Sequence, residues 1–476
     1  MAAEADSATG SRAGRGRAFT YADALAALSS ALTFGINPSL APITAMAEAL
    51  GRPHDTFASV QVTGTNGKSS TARLTAALLR AHGMRVGLYT SPELHSYTER
   101  IEIDGVPVAE EEFAAAVAAA LDVADTLAAG SPPASGPAAA TSPVAGSATE
   151  AVASEPTEFE LLTAAALWLF RERAVDVAVL EVGMGGRWDA TSVVSPAVAV
   201  ITGVGLDHAA HLGPTREAIA ADKAHIIRAA SAPVLGPGTA GVEAPLLARA
   251  EATRTHARAV RVEGEPTPVA EELTTRYRVL TRPSAPDGAT VLEVAGAHAR
   301  YADLAVCAPA YQVPNVATAV ATAEALLGRA LDPALAREAI AAVRFPGRFE
   351  VVARDPWVVV DGAHNPEAAA VLADAVRDAW PDPAARPVVA LGVLADKDAD
   401  GIVAALAPVA AGFVCVAPDS PRALSAAELA TVAERVTGTV PQTAESVRAA
   451  IAAQRAADAA AGVLVTGSIR TAAEGR

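Results

Sequence analysis

Val62-Thr63-Gly64-Thr65-Asn66-Gly67-Lys68-Ser69-Ser70 is the stretch that decides the fold. The apolar run Ser59 to Val62 reads as a short strand before it, and the periodicity from Ser70 to Arg80 predicts an amphipathic helix after it. A loop of small residues between strand and helix is a phosphate cradle. Its glycines let backbone N–H groups close on an anion, and the helix N-terminus adds partial positive charge. Lys68 is placed to reach the β/γ-phosphates, with a Ser69 or Ser70 hydroxyl toward Mg²⁺. The general pattern G-x-x-x-x-G-K-[ST] would put glycine at Val62, so this loop is a narrower variant that points to a subset of ATP users.

Outward from the loop, strand and helix patterns alternate. Strands are expected at 59–62, 85–89, 177–182 and 197–202, and helices at 70–82, 110–128, 158–173 and 215–228. That alternation predicts an α/β fold with a parallel sheet covered on both faces. Before it, residues 18 to 50 read as two short helices around the loop Phe34-Gly35-Ile36-Asn37-Pro38-Ser39-Leu40. Residues 129–156, rich in Ala, Pro, Ser and Gly, read as a flexible insertion. An irregular region spans roughly 240 to 300, with short alternating strands such as Arg276 to Leu280. Helices are expected from Asn315 to about Leu327 and near 332–342. At Phe345-Pro346-Gly347-Arg348 strand–helix units begin again, with strands at 357–361, 387–394, 412–416 and 462–466 and no second phosphate loop. The expected organisation is a disordered leader (1–17), an ATP-binding unit (18–343) and a smaller Rossmann-like α/β unit (344–476).

The chain has 476 residues, 51% apolar and 19% charged, which is a globular composition. No run approaches the roughly 18 apolar residues of a membrane span. Arg12, Arg15 and Arg17 precede no apolar segment, so the N-terminus does not read as a secretory signal. Cys307 and Cys415 lie far apart without metal-ligand spacing, which suits a reducing cytoplasm. A net charge of −16 without a basic stripe argues against nucleic-acid binding.

Four more segments place polar groups at expected strand ends, where open α/β sheets bind ligands. They are Thr90-Ser91-Pro92-Glu93-Leu94-His95, Glu181 with the loop Gly183-Met184-Gly185-Gly186-Arg187-Trp188-Asp189-Ala190-Thr191, Gly205-Leu206-Asp207-His208, and Asp222-Lys223-Ala224. Singly, Ser91 is a turn residue, Glu181 a partner for Arg187, His208 a loop cap and Lys223 a solvated charge. Behind a phosphate loop, the Ser91 hydroxyl, the Glu181 carboxylate and the His208 imidazole form a set able to hold Mg²⁺ beside a triphosphate.

These residues resemble the folylpolyglutamate synthase/dihydrofolate synthase family, within the Mur-ligase superfamily of ATP-dependent amide ligases. The resemblance runs from about residue 34 to the C-terminus through TGTNGKSS, SPELHSYTERI, FELLTAAALWLF, LEVGMGGRWDAT, GLDH, PGRFE and DGAHNP. It implies a Mur-ligase-like pair of α/β domains and an ATP site over Gly64, Thr65, Asn66, Gly67, Lys68, Ser69 and Ser70, completed by Asn315, Arg348, Asp361 and His364. It implies magnesium at Ser91, Glu181 and His208, with Lys223 carbamylated at a second magnesium. Pterin-binding positions fall on Asn37, Pro38 and Ser39, on Thr157, Glu158, Phe159 and Glu160, and on Trp188, Asp189 and Ala190. Lys68, Lys223, His208 and Arg348 are the expected catalytic groups.

The implied reaction adds L-glutamate to dihydropteroate, to reduced folates, or to both, through an acyl phosphate. A cytoplasmic monomer acting on small molecules, without membrane or nucleic acid, is expected. Two alternatives are a Mur-type ligase acting on a nucleotide-linked muramyl peptide and a nucleotide-binding relative without turnover. The chain departs from the family pattern at Glu93 (usually His), at Asp222-Lys223-Ala224-His225 (commonly E-K-A-G) and at Ser192 (often Asn).

Overall fold

The computed structural model describes residues 19–32, 37–130, 155–457 and 462–476. The expected leader lies outside them, as does most of the 129–156 insertion; Ala129 and Gly130 instead finish the helix Glu110–Gly130.

Among the described residues, eleven strands form the first sheet. In chain order they are β1 (Ala58–Thr63), β2 (Val86–Tyr89), β3 (Ile101–Ile103), β4 (Val106–Pro107), β5 (Val177–Glu181), β6 (Val198–Gly203), β7 (Ala232–Gly238), β8 (Arg258–Val262), β9 (Thr274–Thr281), β10 (Thr290–Ala295) and β11 (Arg300–Val306). Their spatial order is β11-β10-β9-β8-β7-β6-β1-β5-β2-β3-β4. The strands from β9 through β6, β1 and β5 to β2 run parallel, and antiparallel ribbons close both edges. β1, β5 and β6 are buried almost throughout because helices cover both of their faces, and β5 and β6 are near-continuous apolar runs. On one face the helix Lys68–Ala81 buries Leu74, Leu78 and Leu79 in a cluster shared with the helix Val313–Leu327. On the other, the helix Glu158–Glu172 buries Leu161, Leu162, Leu167 and Phe170. Each such side chain contributes about 1.5–3 kcal/mol over its exposed state.

Register sets the site. Val62 on β1 pairs with Glu181 on β5 and with Val200 on β6, so the three strands end together. The phosphate loop, Glu181 and the segment after Gly203 therefore leave one edge of the sheet side by side.

A second sheet, in the order β12-β13-β17-β14-β15-β16, is built from β12 (Glu350–Arg354), β13 (Trp357–Val360), β14 (Val388–Leu391), β15 (Gly412–Cys415), β16 (Gln442–Thr443) and β17 (Val463–Thr466). Only β12 runs antiparallel to its neighbour. The carboxyl ends of β13 and β14 lead to Asp361 and to Lys397, facing the first unit.

Several expectations change. Residues 240–300 are not irregular; the helix Glu243–Ala252 and strands β8 to β10 extend the first sheet there. The helix expected at 215–228 is Arg216–Lys223 followed by the 3-10 turn Ala224–Ile226, which buries Ile226 and Ile227. The strand expected at 387–394 stops at Leu391, where its partners β15 and β17 also end, at Cys415 and Thr466. Among the described residues one helix, Glu110–Gly130, is long and apolar enough by length and composition to cross a membrane, although Asp122 and Asp125 interrupt its apolar run. Its apolarity is largely alanine, and it buries Phe113, Ala116, Val117 and Ala120 against the Glu158–Glu172 helix.

Candidate active site

The phosphate loop is held by its neighbours before any ligand enters. Thr65 N–H donates to the Gly203 carbonyl (3.0 Å), and Thr202 Oγ1 donates to the Asn66 carbonyl (2.6 Å). Gly64 and Gly67 have φ of +157° and +82°. A Cβ at Gly64 would lie 1.9 Å from Thr202 Oγ1, and one at Gly67 would lie 2.4 Å from Asn315 Oδ1. Only glycine lets the chain turn this tightly against those side chains. Lys68 Nζ folds back onto the Gly64 and Thr65 carbonyls (3.1 and 3.2 Å). Ser70 is buried and accepts a hydrogen bond from Gln312 Nε2 (3.2 Å).

Glu181 is 1% exposed at the end of β5. It accepts hydrogen bonds from Ser69 Oγ (2.8 Å) and Ser91 N–H (3.1 Å), and does not pair with Arg187. Burial pushes its carboxyl above the ordinary range, opposed chiefly by Lys68. Arg187 instead stacks over the half-exposed Trp188 ring, 4.7 Å from its centroid.

His208 adopts a left-handed conformation (φ +53°) before the short helix Ala209–Leu212. Burial lowers its pKa, with Asp207 opposing. Lys223 is no surface charge. It is 3% exposed, beneath the phosphate loop, and its Nζ donates to the Gly64 carbonyl (3.1 Å). Burial, with Lys68 nearby, brings its pKa down to about 7. Its neighbours explain the local sequence. Asp222 Oδ1 accepts from Gly186 N–H (2.9 Å) and pins the glycine loop, while His225 Nδ1 stays on its own helix carbonyls.

The second unit faces these groups across a cleft of about 420 Å³. Asp361, buried, accepts from Phe349 N–H (2.8 Å), Ala363 N–H (2.8 Å) and Tyr311 OH (2.9 Å). Burial raises its pKa, with Arg348 the main opposing influence. Arg348 also lines the cleft, its NH1 on the Gly347 carbonyl (3.1 Å). Thr65 to Ser70, Ser91, Glu181, His208, Asn315, Arg348, Asp361 and His364 all reach the cleft wall; Gly64 and Lys223 lie just behind it.

Asp207 joins the two units. Lys397 Nζ lies 3.2 Å from its Oδ1, and His364 Nε2 lies 3.8 Å from its Oδ2. Burial alone would raise the Asp207 pKa, but His364, His208 and Lys397 outweigh it and hold the carboxylate well below its usual range. The sequence alone assigns no role to Asp207, Lys397, Tyr311 or Glu367, the last of which accepts from Asn66 Nδ2 (3.4 Å) across the cleft. A polar loop after an apolar strand was the available signal for Lys397.

The expected pterin positions lie off the cleft. Thr157 and Glu160 cap the Glu158–Glu172 helix reciprocally, which occupies both side chains. Asp189 is engaged by Met184 N–H and Thr191 N–H (both 3.0 Å). Phe159 and Asp189 nevertheless converge on Gly183, a cleft residue, and the Phe159 ring lies 5.8 Å from that of Tyr89. Asn37, Pro38 and Ser39 precede the helix Ala41–Ala49, which packs on the Glu158–Glu172 helix and on the Ala190–Val193 turn. The three segments thus share one flank of the first sheet. Ser192, the departure there, is buried and bonds Gly186 O and Gln61 Nε2 (2.7 and 2.9 Å).

Among the described residues, no group of three or more His, Cys, Asp and Glu converges as a metal cage. One buried carboxylate with serine hydroxyls beside a phosphate loop is a donor set that fits Mg²⁺ bound together with nucleotide phosphates.

Two family models match the chain: the Mur ligase glutamate ligase domain over residues 347–469 and the Mur ligase middle domain over 138–235. The chain is 37% identical to the dihydrofolate synthase/folylpolyglutamate synthase of Mycobacterium tuberculosis, over 93% of this chain and 90% of that one. A structure of the Mycobacterium tuberculosis folylpolyglutamate synthase complexed with ADP superposes with a TM-score of 0.82 at 35% identity, covering 95% of this chain and 97% of the other. Escherichia coli FolC in complex with DHPP and ADP superposes with a TM-score of 0.78 at 30% identity, covering 95% and 96%. With this fold, this phosphate loop and a second unit closing over the same cleft, the chain belongs to the dihydrofolate synthase/folylpolyglutamate synthase family of Mur-type ligases.

Proposed function

We propose that this chain is an ATP-dependent ligase that joins L-glutamate to dihydropteroate, to the glutamyl tail of reduced folates, or to both. The observation that carries this reading is the single cleft. One wall is the phosphate loop with Glu181 and Ser91, and the other is a second unit presenting Arg348, Asp361 and His364.

The acceptor carboxylate attacks the γ-phosphorus of ATP, giving an acyl phosphate and ADP. The glutamate amine then attacks the acyl carbon, expelling phosphate and losing a proton. The phosphate-loop N–H groups cradle the β- and γ-phosphates, and Lys68 leaves its own loop carbonyls to meet them. Arg348 faces the charge that spreads over the transferring group. Ser91, Glu181 and His208 would hold magnesium, which neutralises phosphate charge when bound. Asn315 from the first unit, with Asp361 and His364 from the second, position the nucleotide. Closure of the two walls keeps water from the acyl phosphate.

Lys223 is read as carbamylated, at a second magnesium. With its pKa near 7, much of the amine is neutral at neutral pH. The neutral nitrogen bonds the carbon of CO₂ and releases a proton, leaving a carboxylate that Lys68 and a bound metal would have to stabilise at this buried position. The acceptor ring is assigned to the flank where Phe159 and Asp189 meet Gly183, with Asn37 to Ser39 and Trp188 at its edge. The proposal extends to a division at 343/344 and to a cytoplasmic monomer that uses neither membrane nor nucleic acid.

The test supplies MgATP and glutamate with dihydropteroate or tetrahydrofolate in separate reactions, following ADP release and product mass. One glutamate on dihydropteroate establishes the synthase activity, and added glutamates on tetrahydrofolate establish polyglutamylation. Neither product, with ATP still bound, overturns the reading.

A further inference from the structure

Glu93 stands where the family pattern has histidine, and the structure gives that departure a partner in each unit. It is 8% exposed, in the loop that follows β2 and carries Ser91. Arg100 NH1 lies 3.6 Å from its Oε2, and Arg470 NH2 lies 3.4 Å from its Oε1. Arg100 is itself buried and donates to Glu158 (2.7 Å). Arg470 belongs to the second unit, on its last helix Ile469–Gly475, and is half exposed. Glu158, Arg100, Glu93 and Arg470 therefore form a chain of alternating charge that crosses from one unit to the other. A histidine at 93 could not serve both arginines, because its protonated form repels them and its neutral form offers a single acceptor.

The crossing lies beside the reactive groups. The next residue, Leu94, packs with Ile469 around Gly347, immediately before Arg348: a Cβ at Gly347 would lie 3.1 Å from Leu94 and 3.4 Å from Ile469. Ser91, Leu94, Arg348 and Ile469 also line one small crevice. One short loop thus fixes Ser91 at one end and touches the Arg348 turn and the second unit at the other.

We infer that Glu93 is a positioning residue: through Arg470 it sets the second unit, and with it Arg348, against the Ser91 loop for catalysis. The inference rests on the ligase reading, and its test separates the two. Full-length wild type, R470Q, R470K, E93Q and the double variant R470Q/E93Q are compared in the glutamate-addition assay, with melting of the ligand-free proteins measured alongside. R470Q should lower kcat/KM for glutamate roughly tenfold, since misplacing reacting groups by an ångström costs up to about a hundredfold. Its melting should not change, because an exposed arginine contributes little to folding. R470K should recover most of the rate, and the double variant should fall no further than E93Q, since Arg470 acts only through Glu93. Wild-type activity should decline with added KCl more steeply than that of R470Q, since the crossing pair is open to screening. Unchanged kinetics in R470Q, or additive losses in the double variant, overturn the inference. An inactive wild type overturns the ligase reading instead.

Discussion

Lys68 and Lys223 share one acceptor: the Gly64 carbonyl takes a hydrogen bond from each Nζ, both at 3.1 Å. Two cationic side chains thus converge on a single peptide oxygen beneath the phosphate loop. Lys68 keeps access to the cleft, whereas Lys223 is buried and takes the electrostatic consequence. The arrangement is poised for an anion, which would draw Lys68 out and relieve the crowding.

The first prediction is a pH dependence of folding in CO₂-depleted, ligand-free buffer, where Lys223 carries its free amine. The Lys223 pKa is about 7 in the folded chain against 10.5 for an ordinary lysine. Between those values the unfolded chain holds the extra proton, so stability rises as pH climbs from about 7 toward 10.5 and is lost as pH falls through 7. K223M should lack this slope and be more resistant to urea than wild type at pH 6, where the buried ammonium is charged. Its ligase activity should fall about a hundredfold or more. Urea midpoints of both proteins from pH 6 to 10 decide the matter; parallel curves would refute the burial argument.

K68M should separate binding from chemistry. Loss of one cation at the transferring phosphoryl group should cost about 10²–10³ in kcat. The backbone cradle remains, so nucleotide affinity should change much less. Removing the neighbouring charge should also move the Lys223 pKa up, toward the lysine norm, because Lys68 is one of the influences that lower it. Titration of isotopically labelled lysine in K68M would show this directly, and a fixed Lys223 pKa would refute the coupling.

G67A should damage the loop itself. Its φ of +82° and the approach of Asn315 Oδ1 to 2.4 Å of a new Cβ both oppose a side chain. Left-handed backbone alone costs an alanine about 1–2 kcal/mol, and displacement of Asn315 adds to it. A measurable drop in melting temperature with weakened ATP binding is expected. A variant that binds ATP like wild type would show that the loop has room to shift.

What the sequence revealed follows from the range of each interaction. Gly64, Gly67, Lys68 and Glu181 were legible because strand, loop and helix signals lie within a few residues of them. The parallel core was legible in the apolar runs of β5 and β6 for the same reason. Strands β8 to β11 were only partly legible: the alternation of Arg276 to Leu280 showed, but charged positions such as Arg278 and Glu293 left no continuous apolar run to join these strands to the core sheet. Taken by itself Lys223 reads as a surface lysine, and only the family resemblance marks it, since nothing local reports burial under a loop some 160 residues earlier in the chain (the Gly64 contact spans 159). Lys397 with Asp207, and Arg470 with Glu93, join segments whose proximity only the packing of the two units creates. The family resemblance supplied positions for Arg348 and Asp361, but not the hydrogen bonds that occupy Asp361.

Those bonds yield the last prediction. The Asp361 carboxylate collects two backbone N–H groups and the Tyr311 hydroxyl, so it ties β13 to the Phe349 turn and to the start of the helix Val313–Leu327. D361A leaves the Phe349 and Ala363 N–H groups buried without acceptors, at about 1–3 kcal/mol for each group left unsatisfied. Y311F removes one donor while the carboxylate keeps its two backbone partners, so it should cost only about 0.5–1.5 kcal/mol. Because the two residues share one contact, Y311F should add little to D361A. A denaturant series on the four proteins tests this order. If D361A proves as stable as wild type, the carboxylate is not a structural tie, and its role belongs wholly to the nucleotide.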